Sequence, residues 1–283
     1  QLKSMAEELV AKNIDLNVAL VGFGHEARTF LPLTNLTQEN CTEILNNLEQ
    51  TLKSQETKDW INGNGGTNIQ KGIAAGHAIL DGSTSGTTPE DRHLVLMTDG
   101  GGFWYNNDAG ETVCTVHNGD KKQSVGNMDA NPDIGGEGRI KDSMYLRNKA
   151  EGKDFGDFIL EQGRAIEMSA VNSFTQEEAV NVPNDQCYTT AQIQNFNEYP
   201  YINMERGTYY AAQELLSVRE DGYQITTIGY NYYKFYGFLN PLTSLNEVAK
   251  GFREWTATIG TYYDGSNSSS GMAKVFGNVR DDL

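Results

Sequence analysis

Apolar residues recur at helical spacing from the first turn of the chain. Leu2, Met5, Ala6, Leu9 and Val10 share one face, and the pattern runs through Asn13. Residues 16–23 (Leu-Asn-Val-Ala-Leu-Val-Gly-Phe) then form a short, nearly continuous apolar run, as expected of a strand buried on both faces of a sheet. Residues 27–34 read as an edge strand, because Pro32 cannot donate to a central ladder. Thr37 is expected to cap a helix through Gln55, with Ile44, Leu45, Leu48 and Leu52 as its stripe. After the loop Asn62-Gly63-Asn64-Gly65-Gly66, a helix over residues 68–80 carries Ile69, Ile73 and Leu80 inward. Residues 81–91 form a polar turn, and His93-Leu94-Val95-Leu96-Met97-Thr98 is a second buried strand ending at Asp99-Gly100-Gly101-Gly102. Alternating strand and helix patterns predict an open α/β sheet.

The alternation breaks at residue 103. Residues 103–203 are rich in Asn, Asp and Gly, and begin with a hairpin that pairs Phe103-Trp104-Tyr105 with residues 112–116. A helix is expected over residues 154–167. Alternation resumes at Met204, with a helix to about residue 220, a strand over 223–230, a helix over 243–258 and a last helix over 271–283. The organisation read from this is one α/β domain in two parts, 1–102 and 204–283, interrupted by an inserted α+β arm, 103–203, too long for an ordinary loop.

Composition narrows the function classes. The chain has 283 residues, with 22 Lys plus Arg against 38 Asp plus Glu, a formal net charge of −16. That balance argues against nucleic acid or an anionic membrane surface as the main partner. No apolar run is long enough to span a membrane. Cys41, Cys114 and Cys187 lie far apart without zinc-ligand spacing; three ordinary thiols is the plainer reading, with one bridge left open. No targeting segment precedes the opening helix, so the chain is expected to be cut from something longer.

In an open α/β sheet ligands bind beyond the carboxyl ends of the strands. Asp99 and Thr67 both fall there and offer oxygen ligands suited to Mg²⁺ or Ca²⁺. Taken alone, Thr67-Asn68-Ile69-Gln70 reads as a capping box and Asp99 as a loop carboxylate. Taken together, Gly65-Gly66-Thr67-Asn68-Ile69 and Leu96-Met97-Thr98-Asp99-Gly100 resemble the von Willebrand factor type A domain, whose sheet carries a metal-ion-dependent adhesion site. The opening helix with residues 18–23 resembles that family's first helix and second strand. Residues 224–229 resemble its fifth strand, and Tyr262-Tyr263 with Val275-Phe276 its closing segment and last helix. The resemblance covers about 1–100 and 204–283. It implies an open, mainly parallel, doubly wound, Rossmann-like sheet. It also implies that Thr67 and Asp99 hold the second and third places of a metal site for Mg²⁺ or Ca²⁺, with Mn²⁺ a further option. The family's first contributor is a DxSxS loop after a first, central strand. Loop and strand should precede Gln1 and are expected to be lost by truncation, which leaves the site incomplete in this chain.

Other motifs read differently. Asp81-Gly82-Ser83-Thr84-Ser85 matches DxSxS letter for letter, but it follows the helix that begins near Thr67 and is expected at the opposite end of the sheet, about 20 Å away. Gly22-Phe23-Gly24-His25-Glu26-Ala27 fits GxGxxA, a dinucleotide fingerprint only where a helix opens after it. Asp129-Ala130-Asn131-Pro132-Asp133 fails as an EF-hand loop, because its sixth and twelfth positions are Ile134 and Ile140. His77 reads as a packing histidine, whereas His25 sits at the ligand end of a strand. Nine of 14 tyrosines follow residue 205, and Tyr230, Tyr232 and Tyr233 leave a strand at its carboxyl end. With His25 they are candidates for an aromatic rim around a partner.

The resemblance implies binding rather than catalysis. A partner carboxylate would complete the cation's coordination, as in surface adhesins at the tips of Gram-positive pili, whose domain carries extra arms. The expected partner is a protein or host extracellular-matrix ligand, and the expected location is the cell surface or cell wall. The competing readings are an intracellular type A domain serving as scaffold for an ATPase, and a nucleotide-binding Rossmann-type enzyme.

Overall fold

The computed structural model describes residues 2–64, 67–83, 86–102, 104–106, 110, 112–117, 152–162, 171–175, 204–230, 244–265 and 269–282. Helix α1, Leu2–Ala11, buries Met5, Ala6, Leu9 and Val10, the stripe its spacing predicts. Strand β1, Leu16–Phe23, pairs antiparallel with β2, Ala27–Leu36, and β2 bulges near Phe30 and Pro32 as an edge strand does. Helices α2, Cys41–Lys53, and α3, Gln55–Gly63, divide at Ser54, whose backbone is extended and whose hydroxyl accepts from Thr57 N (3.1 Å) as an N-cap. One continuous helix to Gln55 was therefore too simple, and α3 begins where that helix was expected to end.

Helix α4, Ile69–Asp81, leads to β3, His93–Thr98, and the chain then enters the hairpin of β4, Trp104–Asn106, and β5, Thr112–His117. Beyond α5, Phe155–Gln162, strand β6, Val171–Thr175, joins β5 antiparallel. Asp154 and Asp157 cap α5 reciprocally, each carboxylate accepting from the other's backbone N at 2.9 Å. Helix α6, Met204–Glu220, strand β7, Gln224–Gly229, helix α7, Ser244–Thr256, strand β8, Thr261–Asp264, and helix α8, Ser269–Asp282, complete the described chain.

Three sheets result: β1-β2, the parallel β3-β7-β8, and the antiparallel β4-β5-β6. The parallel sheet is covered on both faces at its central strand, β7. Leu94, Leu96 and Ile225 pack with Ile69 and Ile73 of α4, Leu215 of α6 and Phe252 of α7. Ile228, facing the other way, packs with Leu9 of α1 and Val279 of α8. A doubly wound α/β architecture is thus present. Strand β7 has the two-faced burial of a central strand, buried from Ile225 to Gly229.

Hydrogen bonds at the two ends of α4 orient β1 relative to β3. Asn68 N donates to Gly24 O (2.5 Å), just past β1, and Arg92 Nη1, just before β3, donates to Leu80 O (2.9 Å). Both strands therefore run toward one rim. Among the described residues no strand pairs with the β3-facing edge of β1 or the β1-facing edge of β3. The side chains reflect this. Every residue of β1 is only half-buried, and Val95 and Met97 of β3 are 41% and 39% exposed. Burial on both faces, expected for each strand from its apolar run, fails because a strand's burial depends on a lateral neighbour as well as on covering helices. Cys41 is a free, buried thiol among Ala6, Val10, Leu36, Leu45 and Leu48, and burial, foremost, pushes its pKa up. No helix among the described residues is long and apolar enough to cross a membrane.

Candidate metal centre

The carboxyl rim is built by two glycine-rich turns. At the first, Gly24 lies so close to Asn64 that a Cβ would stand 2.1 Å from Asn64 O. Asn64 closes the turn with its side chain: Oδ1 accepts from Glu26 N (2.8 Å) and Nδ2 donates to Glu26 O (3.0 Å). The Lys71–Glu26 ion pair (2.5 Å) ties the same turn to α4. The chain thus turns directly from β1 into β2, and no helix opens after Gly22–Ala27. The dinucleotide fingerprint lacks the helix N-terminus it needs.

The second turn follows β3. Gly100 has φ +87°, and a Cβ on it would stand 2.4 Å from Ala249 O of α7. Thr98 Oγ1 accepts from Gly100 N (2.9 Å), and Asp99 Oδ1 from Gly101 N (2.9 Å). Arg253 of α7, itself buried, donates to the Asp99 backbone oxygen. Burial pushes the Asp99 carboxyl above its ordinary range, and the Gly101 bond and the Arg253 charge offset that only in part.

Thr67 stands at this rim. Its carbonyl accepts from Trp104 N (3.0 Å), five residues past Asp99, and it immediately precedes α4. The capping-box reading of Thr67 is wrong by one residue. Asn68 is the N-cap, with Oδ1 accepting from Lys71 N (2.9 Å), and the Gln70 side chain accepts from Asn106 N (2.7 Å) instead of returning to Thr67. The Thr67 hydroxyl is therefore spent on no cap and finds no partner among the described residues. A hydroxyl and a partly desolvated carboxylate at one rim are hard oxygen donors of the kind Mg²⁺ and Ca²⁺ take, though two are fewer than either ion needs.

The aromatic candidates divide. His25 is 6% exposed and tilts against Trp104 (5.7 Å between centroids), so it packs beneath the rim rather than presenting itself to a partner. Tyr230 is half-buried at the rim. Its N donates to Thr98 O (3.1 Å), and burial, with the Asp99 charge second, raises its phenol pKa. Gly65, Gly66, Tyr232, Tyr233 and residues 129–133 lie outside the described residues.

At the other end of α4, Asp81 of the DxSxS look-alike sits at the amino end of the sheet, as its position in the chain implies. A helix of 13 residues separates it from Thr67, about 20 Å. It has unexpected company there. His77, Asp81 and Asp221 bring one donor atom each within 4.8 Å of one another, so the described residues do contain a His/carboxylate group able to hold a divalent cation. It is not the rim formed by Thr67 and Asp99. Reading His77 as mere packing missed Asp221 and Glu214, which follow it by 144 and 137 positions and which no local pattern connects to it.

An open α/β fold with oxygen donors beyond the carboxyl ends of its strands defines a class of ligand-binding domains. The comparison with protein families is more specific: residues 1–101, about a third of the chain, match the von Willebrand factor type A domain. Residues 1–101 are thus similar to a family of protein-interaction modules that often work through a divalent cation. No curated protein and no solved structure matches the chain.

Proposed function

We propose that this chain is a metal-dependent adhesion domain of a bacterial cell-surface protein, and that it binds its partner rather than transforming it. Thr67 and Asp99 hold Mg²⁺ or Ca²⁺ at the carboxyl rim, and a carboxylate of a protein or host-matrix partner takes an open coordination position. The observation that carries this reading is a Thr67 hydroxyl not engaged in capping, at the same rim as the partly desolvated Asp99 carboxylate, which leaves both oxygens available to a cation. The cation supplies the charge that Asp99's surroundings lack, and the hydroxyl helps set its position. Tyr230 offers contact area beside it.

The resemblance assigns the remaining ligands to a DxSxS loop on a central strand, and among the described residues β1 pairs only with β2 and β3 only with β7, so each has an edge such a strand could join. The test is calorimetry with Mg²⁺ on the chain as it stands and on a version prefixed with an apolar strand ending in Asp-x-Ser-x-Ser. The prefixed version is expected to bind at least tenfold more tightly, an advantage lost in T67A and D99A. Equal affinity for the two, or an advantage that survives D99A, would sink the reading.

A further inference from the structure

We propose that His77, Asp81 and Asp221 form a second cation site, at the amino rim of the parallel sheet, selective for a first-row transition metal such as Zn²⁺. The site stands on its own side chains and does not depend on the reading of Thr67 and Asp99.

The donors are spaced for a metal. His77 Nε2 lies 2.8 Å from Asp221 Oδ2 and 3.8 Å from Asp81 Oδ1. Ligands held at about 2.0–2.1 Å in a tetrahedron stand about 3.3 Å apart, so each carboxylate oxygen lies within about half an ångström of that spacing from Nε2, and the three donors lie within 4.8 Å of one another. The imidazole side chain is only 11% exposed and fixed, whereas both carboxylates are 53% exposed. The nitrogen donor is thus preset in the wall of the site and the oxygen donors face the solvent from which an ion arrives.

The surroundings are those of a metal-bound histidine. The other ring nitrogen, Nδ1, faces Glu214 Oε1 at 3.4 Å. A carboxylate on Nδ1–H is what fixes the tautomer and turns Nε2 toward a metal. The Tyr223 ring meets the imidazole edge-on (5.8 Å, 84°), and its hydroxyl donates to Asp81 Oδ1 at 2.7 Å. Arg92 holds that hydroxyl in turn (3.2 Å) while its other donors go to the carbonyls of Leu80, Ser83 and Thr87 and to the Thr87 hydroxyl. Among the described residues no lysine or arginine makes an ion pair with Asp81, Glu214 or Asp221. Three carboxylates converge on one imidazole, a charge balance that a divalent cation corrects. A nitrogen donor with two carboxylates suits Zn²⁺ better than Mg²⁺ or Ca²⁺, which prefer oxygen alone.

The experiment is Zn²⁺ titration of the chelator-stripped chain, followed by calorimetry, thermal melting and ¹⁵N shifts of the imidazoles. One saturable site per chain is expected, with a raised melting temperature and with the His77 Nε2 resonance moving while Nδ1 stays protonated. D81N and D221N, exposed substitutions that should fold, are expected to lose at least tenfold in affinity, and E214Q about 10- to 100-fold. T67A and D99N are expected to bind Zn²⁺ as the parent does, so failure at the carboxyl rim and failure here are separable. Absence of saturable binding would show His77 to be only an ion-pair partner. That result, or binding indifferent to D81N and D221N, overturns the proposal.

Discussion

The two ends of α4 solve the problem of placing carboxylates in opposite ways. At the carboxyl rim one carboxylate, Asp99, is enclosed by a backbone with little room for side chains, the Gly100 turn pressed against α7. At the amino rim the framework is made of side chains. Arg92, Tyr223 and Glu214 hold Asp81 and His77 in place while the carboxylates stay half in solvent. A backbone cradle specifies position at the expense of tolerance to substitution. A side-chain network tolerates changes in the chain path but is altered one hydrogen bond at a time.

That contrast is broken or sharpened first by glycine substitution. G100A puts a Cβ into the Ala249 carbonyl at positive φ and is expected to destabilise by about 3 kcal/mol. G82A, at φ −71° with its nearest neighbour at 3.3 Å, is expected to change stability by about 0.5 kcal/mol or less in urea unfolding. Similar losses would dissolve the distinction. The next effect separates adjacent residues at the carboxyl rim. N68A removes the α4 cap and is expected to destabilise by about 1 kcal/mol, whereas T67A in the metal-free chain is expected to change stability by less than about 0.5 kcal/mol.

The smallest effects lie in pH dependence. Asp99 titrates above its unfolded value, so the fold holds that proton more tightly than the unfolded chain does, and stability falls as pH rises through the raised value. D99N is therefore expected to melt slightly higher than the parent at neutral pH without metal. His93, at the amino end of β3, moves the other way. Burial lowers it from 6.5, so stability falls as pH drops below that value, and H93Q should flatten the slope there. Melting curves between pH 4 and pH 8 check both signs.

Much of the parallel half was legible in the sequence, because β3, β7, α6 and α7 are marked by period and by flanking glycines. The rim was legible as residue types, Thr67 and Asp99 at strand and helix ends. What stayed hidden depended on neighbours distant in the chain. Helix α3 has no apolar stripe; its Ile61 is 56% exposed and its Trp60 packs on Phe30 of β2. Asn68 and Thr67 are both good caps, and the bond from Asn68 N to Gly24 O belongs to the fold rather than to local sequence. The exposure of Val95 and Met97 follows from which strands lie beside β3, which an apolar run does not report.

The edges of β1 and β3 that no described strand pairs also have a colloidal consequence. Unpaired backbone beside exposed Val95 and Met97 is a template for sticking to another copy, and mutual repulsion between chains of net charge −16 opposes that contact. The repulsion reaches about 10 Å at 0.1 M salt but only about 3 Å at 1 M. This chain should therefore stay dispersed in dilute buffer and self-associate as salt rises, the reverse of a protein held together by ion pairs.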